Sequence, residues 1–320
     1  MRRIDVFNGD ADGICALHQL RLAEPCDSML VTGVKRDIAL LKRVEALAGD
    51  MVTVLDISLE ANRHDLLRLL VDGVRVRYFD HHFAGDLPDS PHFEAHIDER
   101  SEVCTSLLVN DFLEGRYLAW AVTAAFGDNL HDSARRAAAD LQLAEEKLQA
   151  LQSLGECINY NGYGATVEDL FYAPDDLYRA IHPYTDPFAF IIESEVYPRL
   201  RDGMASDLQQ ARELPLKQLG GEAVVFLPDA PWARRVSGVF ANELARANRG
   251  RAHALLTELS DGAYLVSVRA PLANPAGAGE LCQRFPTGGG REAAAGINHL
   301  PADQLDAFID AFRHQYQDLV

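Results

Sequence analysis

Apolar residues in about the first hundred positions fall into short β-rich runs separated by stretches of helical spacing. The runs are Ile4 to Phe7, Met29 to Thr32, Val52 to Leu55 and Val74 to Phe79. Between them, Gly13 to Leu22, Ile38 to Leu47 and Leu59 to Leu70 repeat their apolar positions with a helical period. Such alternation predicts βαβ units and a parallel sheet, with Phe93 to Ile97 as a fifth strand. From Cys104 to about Leu154 the pattern turns helical, and the Ala-, Leu- and Glu-rich stretch Ser133 to Leu154 reads as one helix.

The segment Asn159-Tyr160-Asn161-Gly162-Tyr163-Gly164 interrupts this pattern and reads as a lid or interface loop or as a site of packed tyrosines. His182-Pro183-Tyr184-Thr185-Asp186-Pro187 marks a second break. A first domain is therefore expected over 1–187 and a connecting segment over 188–221, with a helix from about Ile191 to Leu214 before Pro215 and the Gly220-Gly221 pair. A second domain over 222–320 opens with the strand Ala223 to Leu227. It continues with a helix from about Gly238 to Ala247 and strands at Ala252 to Glu258 and Tyr264 to Arg269, and closes on a helix from Asp303. The expected fold class is α/β: a parallel-sheet N-terminal domain with flanking helices and a smaller α/β C-terminal domain.

Composition narrows the function classes. Apolar content of 48% with 24% charged residues is that of an ordinary globular protein. No apolar run approaches the roughly 20 residues of a membrane span, so no membrane partner is expected. Asp5, Asn8, Asp10 and Asp12 interrupt what would be the apolar core of a signal peptide. The five cysteines are scattered, without a C-x-x-C pair, and form neither a disulfide framework nor a zinc knuckle; a reducing cytoplasm is the expected location. A net charge of −18 opposes binding to long duplex nucleic acid, which needs many Lys and Arg contacts to phosphate. Any nucleic-acid partner should be short. A homodimer is compatible with all of this.

The candidate chemistry lies at strand ends. Asn8-Gly9-Asp10-Ala11-Asp12-Gly13 follows the first strand, Asp56 ends the third, and Asp80-His81-His82 ends the fourth. Parallel strands deliver their C-terminal ends to one crevice, where these groups should converge. Four aspartates and two histidines together call for cations, and mixed carboxylate and imidazole ligation suits manganese or iron better than magnesium. Each group also has a plainer reading: an Asp after a strand commonly caps a helix, and a His pair can be a satisfied structural pair.

Asp10-Ala11-Asp12-Gly13, Asp56 in Leu55-Asp56-Ile57-Ser58, Asp80-His81-His82, and Asp128 in Phe126-Gly127-Asp128-Asn129 together resemble the DHH phosphoesterases. Further on, Thr287-Gly288-Gly289-Gly290-Arg291-Glu292-Ala293-Ala294-Ala295-Gly296 resembles the glycine-rich signature of the associated DHHA1 domain. The resemblance covers nearly the whole chain in the family's order. It implies two divalent cations, Mn2+ in kind, with Asp10 and Asp56 binding one and Asp12, Asp56, His81 and Asp128 the other. Asp80 would orient an imidazole and His82 would face the scissile phosphate. Asn8 departs from the His or Asp of many relatives: either that cation is held more weakly, or Asn8 ligates through its amide oxygen.

In the second domain, Gly288, Gly289 and Gly290 with Arg291 read as a phosphate cradle or as a tight turn carrying a surface Arg. Arg269 is a second candidate for phosphate, and Ser237 and Asn242 could add polar contacts. The implied activity is hydrolysis of diribonucleotides or very short, pGpG-like oligonucleotides to mononucleotides. A phosphatase for 3'-phosphorylated (pAp-like) nucleotides, a nucleotide-binding regulator with a degenerate metal site and a cyclic-dinucleotide phosphodiesterase are the alternatives.

Overall fold

The computed structural model describes residues 1–317 and divides into two compact units, Met1–Gly203 and Met204–Val320. In the first, β1 (Arg3–Phe7), β2 (Met29–Val31), β3 (Met51–Leu55), β4 (Arg75–Asp80) and β5 (Phe93–Ile97) form a fully parallel sheet in the order β2-β1-β3-β4-β5. All five expected strands are present. β1 carries neighbours on both sides, so successive crossovers leave it in opposite directions, and the point of reversal lies between β1 and β3.

Helices α1 (Ala11–Ala23) and α2 (Leu59–Val71) follow β1 and β3. The helix expected over Ile38 to Leu47 is absent, apart from one 3-10 turn at Leu41–Arg43. Side chains of α2 bind the backbone groups that a helix would use internally. Asn62 accepts from Leu41 N and donates to Ile38 O, and Arg68 donates to Leu41 O and Val44 O. Leu40, Leu41 and Val44 pack with Val52, Val54, Leu66 and Leu69 in the core over this face of the sheet.

A helical layer follows: α3 (Thr105–Phe112), α4 (Leu118–Gly127), α5 (His131–Ala138), α6 (Glu145–Asn161), α7 (Pro174–Ile181), α8 (Pro187–Glu193) and α9 (Val196–Arg212). The single helix expected over Ser133 to Leu154 is two: α5 runs on into a 3-10 turn at Ala139–Leu141, which stops where Gln142 adopts a left-handed conformation (φ 49°). Arg135 of α5 pairs with Glu145 of α6 across the break. The expected interruption at Asn159 is instead the last turn of α6, with Asn159, Tyr160 and Asn161 buried. The chain passes from the first unit to the second inside α9, at Gly203 and Met204.

In the second unit, β6 (Lys217–Gln218), β7 (Ala223–Leu227), β8 (His253–Glu258), β9 (Tyr264–Arg269), β10 (Gly288–Gly290) and β11 (Ala294–Leu300) form a mixed sheet in the order β10-β11-β9-β8-β7-β6. α10 (Pro231–Ala247) links the parallel pair β7 and β8; α11 (Ala278–Gln283) and α12 (Leu305–Tyr316) complete the unit. Two apolar clusters, one around Phe308 and Phe312 and one around Phe240 and Val236, form its cores. Among the described residues, no helix is long and apolar enough to cross a membrane.

Candidate metal centre

The turn from β1 into α1 is compact because Gly13 packs on the strand end: a Cβ there would lie 2.2 Å from Asn8 O. Asp10 is the N-cap of α1, and its Oδ1 accepts from the N–H groups of Asp12 and Gly13 at 3.1 Å each. The plain capping role is real for one oxygen. The other, Oδ2, lies 2.6 Å from Lys35 Nζ.

Asp12, in the first turn of α1, is fully buried and reaches the N-terminus of α3, where its two oxygens accept from Thr105 N and Ser106 N at 2.7 Å each. Asp56 follows β3 with a left-handed backbone (φ 59°), a conformation that Asp and Asn tolerate better than other side chains that carry a Cβ. Thr105 Oγ1 donates to its Oδ1 at 3.1 Å. Asp128 comes from the C-terminus of α4, brought close to α1 by Gly127, where a Cβ would sit 2.5 Å from Ala11 Cβ and 2.6 Å from Gly155 O.

His81 joins these groups. Its Nε2 lies 3.4 Å from Asp56 Oδ1 and 4.0 Å from Asp128 Oδ2. One ligand atom from each of Asp12, His81 and Asp128 falls within 4.8 Å of the others, and the same holds for Asp56, His81 and His82. His82 donates through Nδ1 to Asp80 Oδ1 at 2.7 Å, and the other oxygen of the buried Asp80 accepts from Leu59 N. That leaves Nε2 as the ring nitrogen of His82 available to a ligand.

The electrostatics are those of an anion cluster. Burial, then Asp12, Asp10, Asp128 and Asp80, push the Asp56 carboxyl well above the usual carboxylate range. Asp128 is pushed up to about 6 by burial and Asp12, with Lys35 opposing. Burial would also raise Asp10, but Lys35 beside it holds it below its ordinary value. The His82 imidazole is raised above its ordinary value by its hydrogen bond to Asp80, against burial. So many carboxylates cannot all ionise unless cations neutralise them.

Asn8 supports the same reading. It is buried, its Nδ2 donates to Lys35 O at 3.4 Å, and its Oδ1 has no hydrogen-bond partner among the described residues. A buried amide oxygen without a donor is destabilising, and a cation ligated through it would resolve the deficit. The donor set of carboxylate, imidazole and amide oxygen therefore fits hard or borderline divalent ions.

Lys35, Thr105 and Ser106 belong to this site and were not singled out from sequence; Asn159, marked there only as the start of a lid or interface loop, joins them. Lys35 lies in the loop after β2, and Asn159 accepts from its Nζ at 2.9 Å. Beside this loop a cavity of about 520 Å³ is lined by residues that include Arg36, Arg43 and Thr166.

Of the second-unit candidates, Arg269 and Arg291 lie toward one end of that unit's sheet. Gly288, Gly289 and Gly290 form the edge strand β10 rather than a loop. Arg291 follows in the turn to β11, closed by bonds between Arg291 and Ala294 in both directions. Ala294 is in register with Arg269, which places the two arginines near the same end of the sheet. Arg269 Nε donates to Asn242 Oδ1 at 2.7 Å, and its Nη1 donates to Ser267 Oγ at 3.0 Å. Ser237, on α10 with Asn242, is buried.

The sequence matches no family model and no curated protein. Among solved structures the chain is similar to exonuclease RecJ bound to manganese, with a TM-score of 0.68 at 18% identity over 99% of this chain and 90% of that one. It is similar to the RecJ–Mn2+ complex from Thermus thermophilus, with a TM-score of 0.67 at 17% identity, spanning 99% of this chain but 52% of that one. It is also similar to PggH, a pGpG-specific phosphodiesterase from Vibrio cholerae, with a TM-score of 0.57 at 14% identity over 99% of each chain. These likenesses establish the fold, which this chain shares with RecJ and PggH, in keeping with the resemblance carried by its motifs.

Proposed function

We propose that this chain is a metal-dependent phosphodiesterase that cleaves diribonucleotides or very short oligonucleotides to mononucleotides. The observation that carries this reading is the convergence of Asp12, Asp56, His81 and Asp128 in one cluster, with Asp10 linked to Asp128 through Lys35. The likeness to manganese-bound RecJ and to PggH supports both the cation and the phosphodiester chemistry.

In this reading Asp10 and Asp56, with Asn8, would hold one divalent cation, and Asp12, Asp56, His81 and Asp128 would hold the other. Such a pair, when bound, would supply Lewis-acid chemistry toward a phosphoryl group. Asp80 fixes the His82 ring by binding Nδ1 and favours its protonated form. Nε2 of His82 then carries a proton toward the scissile phosphate, where it stabilises charge developing on the phosphoryl oxygens. Thr105 Oγ1 orients the Asp56 carboxylate. Arg269 and Arg291 supply planar guanidinium groups suited to a terminal phosphate. A net charge of −18 favours short substrates over long strands.

The test is mononucleotide release from a panel of 5'-phosphorylated RNAs about two to ten nucleotides long, with manganese present and then chelated. Manganese-dependent cleavage strongest on the dinucleotides is expected. Inorganic phosphate released from a 3'-phosphorylated nucleotide, with no dinucleotide cleavage, would replace this reading with a monoesterase. Metal binding without turnover of either would replace it with a nucleotide-binding regulator.

A further inference from the structure

Lys35 is built into the cluster rather than lying over it. Its backbone N–H donates to Gly162 O at 2.9 Å, while Nζ lies 2.6 Å from Asp10 Oδ2, 2.9 Å from Asn159 Oδ1 and 3.4 Å from Asp128 Oδ1. Asn159 is oriented in turn, since its Nδ2 donates to the Tyr163 hydroxyl at 3.1 Å, and the Tyr163 ring centroid is 5.8 Å from Nζ. Gly162 lets this segment close on Asp10: a Cβ there would be 3.2 Å from Asp10 Cβ. The Asn159 to Gly164 segment is thus a cradle that aims one ammonium group at the carboxylates of Asp10 and Asp128.

We infer that Lys35 is a positioning residue of the metal centre, a tethered cation that competes with the divalent ion for the oxygens of Asp10 and Asp128 and so sets the affinity for metal. This rests on the metal-centre reading above. An ammonium group and a divalent ion cannot both lie against Asp10 Oδ2 without strong repulsion at contact distance. Metal binding therefore requires Nζ to give up its 2.6 Å contact. A lysine is suited to this, being a compact charge on a flexible four-carbon stem, and Asn159 Oδ1 is a neutral acceptor that can retain it after it withdraws from Asp10. Without the lysine charge, the carboxylates repel one another more strongly before the metal arrives, and the bound metal has no cationic neighbour. Both effects tighten metal binding.

The test is a manganese titration of the full chain followed by the EPR signal of free Mn2+, with wild type, Lys35→Met, Lys35→Gln and Lys35→Arg compared, and thermal melting in chelator as the check on folding. Lys35→Met and Lys35→Gln are expected to bind manganese about tenfold more tightly or better, while Lys35→Arg, which keeps the charge, stays near wild type. A residue that merely props up the site would give the opposite sign, because its loss loosens the ligands. Unchanged or weaker binding in whichever neutral variant folds overturns the competition and leaves the metal centre standing. Wild type that binds no manganese overturns both.

Discussion

Asp12 closes the N-terminus of α3 with both of its carboxylate oxygens, accepting from Thr105 N and Ser106 N at 2.7 Å each. The side chain expected to ligate a cation is therefore also the cap that fixes a neighbouring helix. Asp12→Ala strips both N–H groups of their acceptor inside the protein, at about 1–3 kcal/mol for each group left unpaired. Thermal melting in chelator should show a loss of several degrees, and phosphodiester cleavage should be abolished. A melting temperature equal to wild type would mean that water replaces the cap without penalty.

Asp56 should behave differently. It accepts one hydrogen bond, from Thr105 Oγ1, and its carboxyl is held well above the usual carboxylate range by burial and by four neighbouring aspartates. Asp56→Asn keeps a side chain tolerant of the left-handed backbone and removes the source of repulsion. Cleavage should fall below detection while the melting temperature in chelator stays level or rises. Measurable manganese-dependent turnover in this variant would refute a bridging role for Asp56.

Acid stability offers a test away from the centre. His18 is buried, donates through Nε2 to Tyr184 O at 2.8 Å and has its pKa lowered to about 3, chiefly by burial. With a folded pKa below the unfolded value of 6.5, it favours folding fully above pH 6.5, and that contribution is lost as pH falls toward 3. The loss is roughly 1.4 kcal/mol per pH unit. His18→Gln, which can still donate to the carbonyl, should flatten the fall of melting temperature between pH 6 and 4. Parallel wild-type and variant curves would contradict it.

Arg291 stands in the turn after β10, with its side chain exposed. If it holds a terminal phosphate, Arg291→Ala loses a charge-assisted contact and KM for a 5'-phosphorylated dinucleotide should rise roughly ten- to hundredfold with kcat little changed. The same dinucleotide without its 5'-phosphate should show no such difference between wild type and variant. Equal sensitivity on both substrates would move Arg291 out of phosphate binding.

The parallel sheet was legible because its strands are apolar runs set between turn residues, and the aspartates at their ends inherit their convergence from that topology. The helix expected over Ile38 to Leu47 failed because period alone does not reveal that Asn62 and Arg68 claim its backbone groups from another element. Lys35 escaped for a similar reason. Val34-Lys35-Arg36 carries no motif, and the lysine gains its meaning from Asp128 and Asn159, 93 and 124 positions away. Asn159 to Gly164 was visible as an unusual composition, but its placement against Lys35 depends on α6 running on to Asn161.

The backbone at Asp56 also bears on how a centre of the proposed kind would decay over generations. A bend with φ near 59° admits Asp, Asn and Gly readily and penalises most other side chains by about 1–2 kcal/mol. A copy of the gene released from selection for turnover thus has few stable exits at this codon. Decay of the centre in a descendant should leave Asn or Gly at this position more often than Ala, Val or Leu, so that a derelict site would still record in its backbone where the carboxylate once stood.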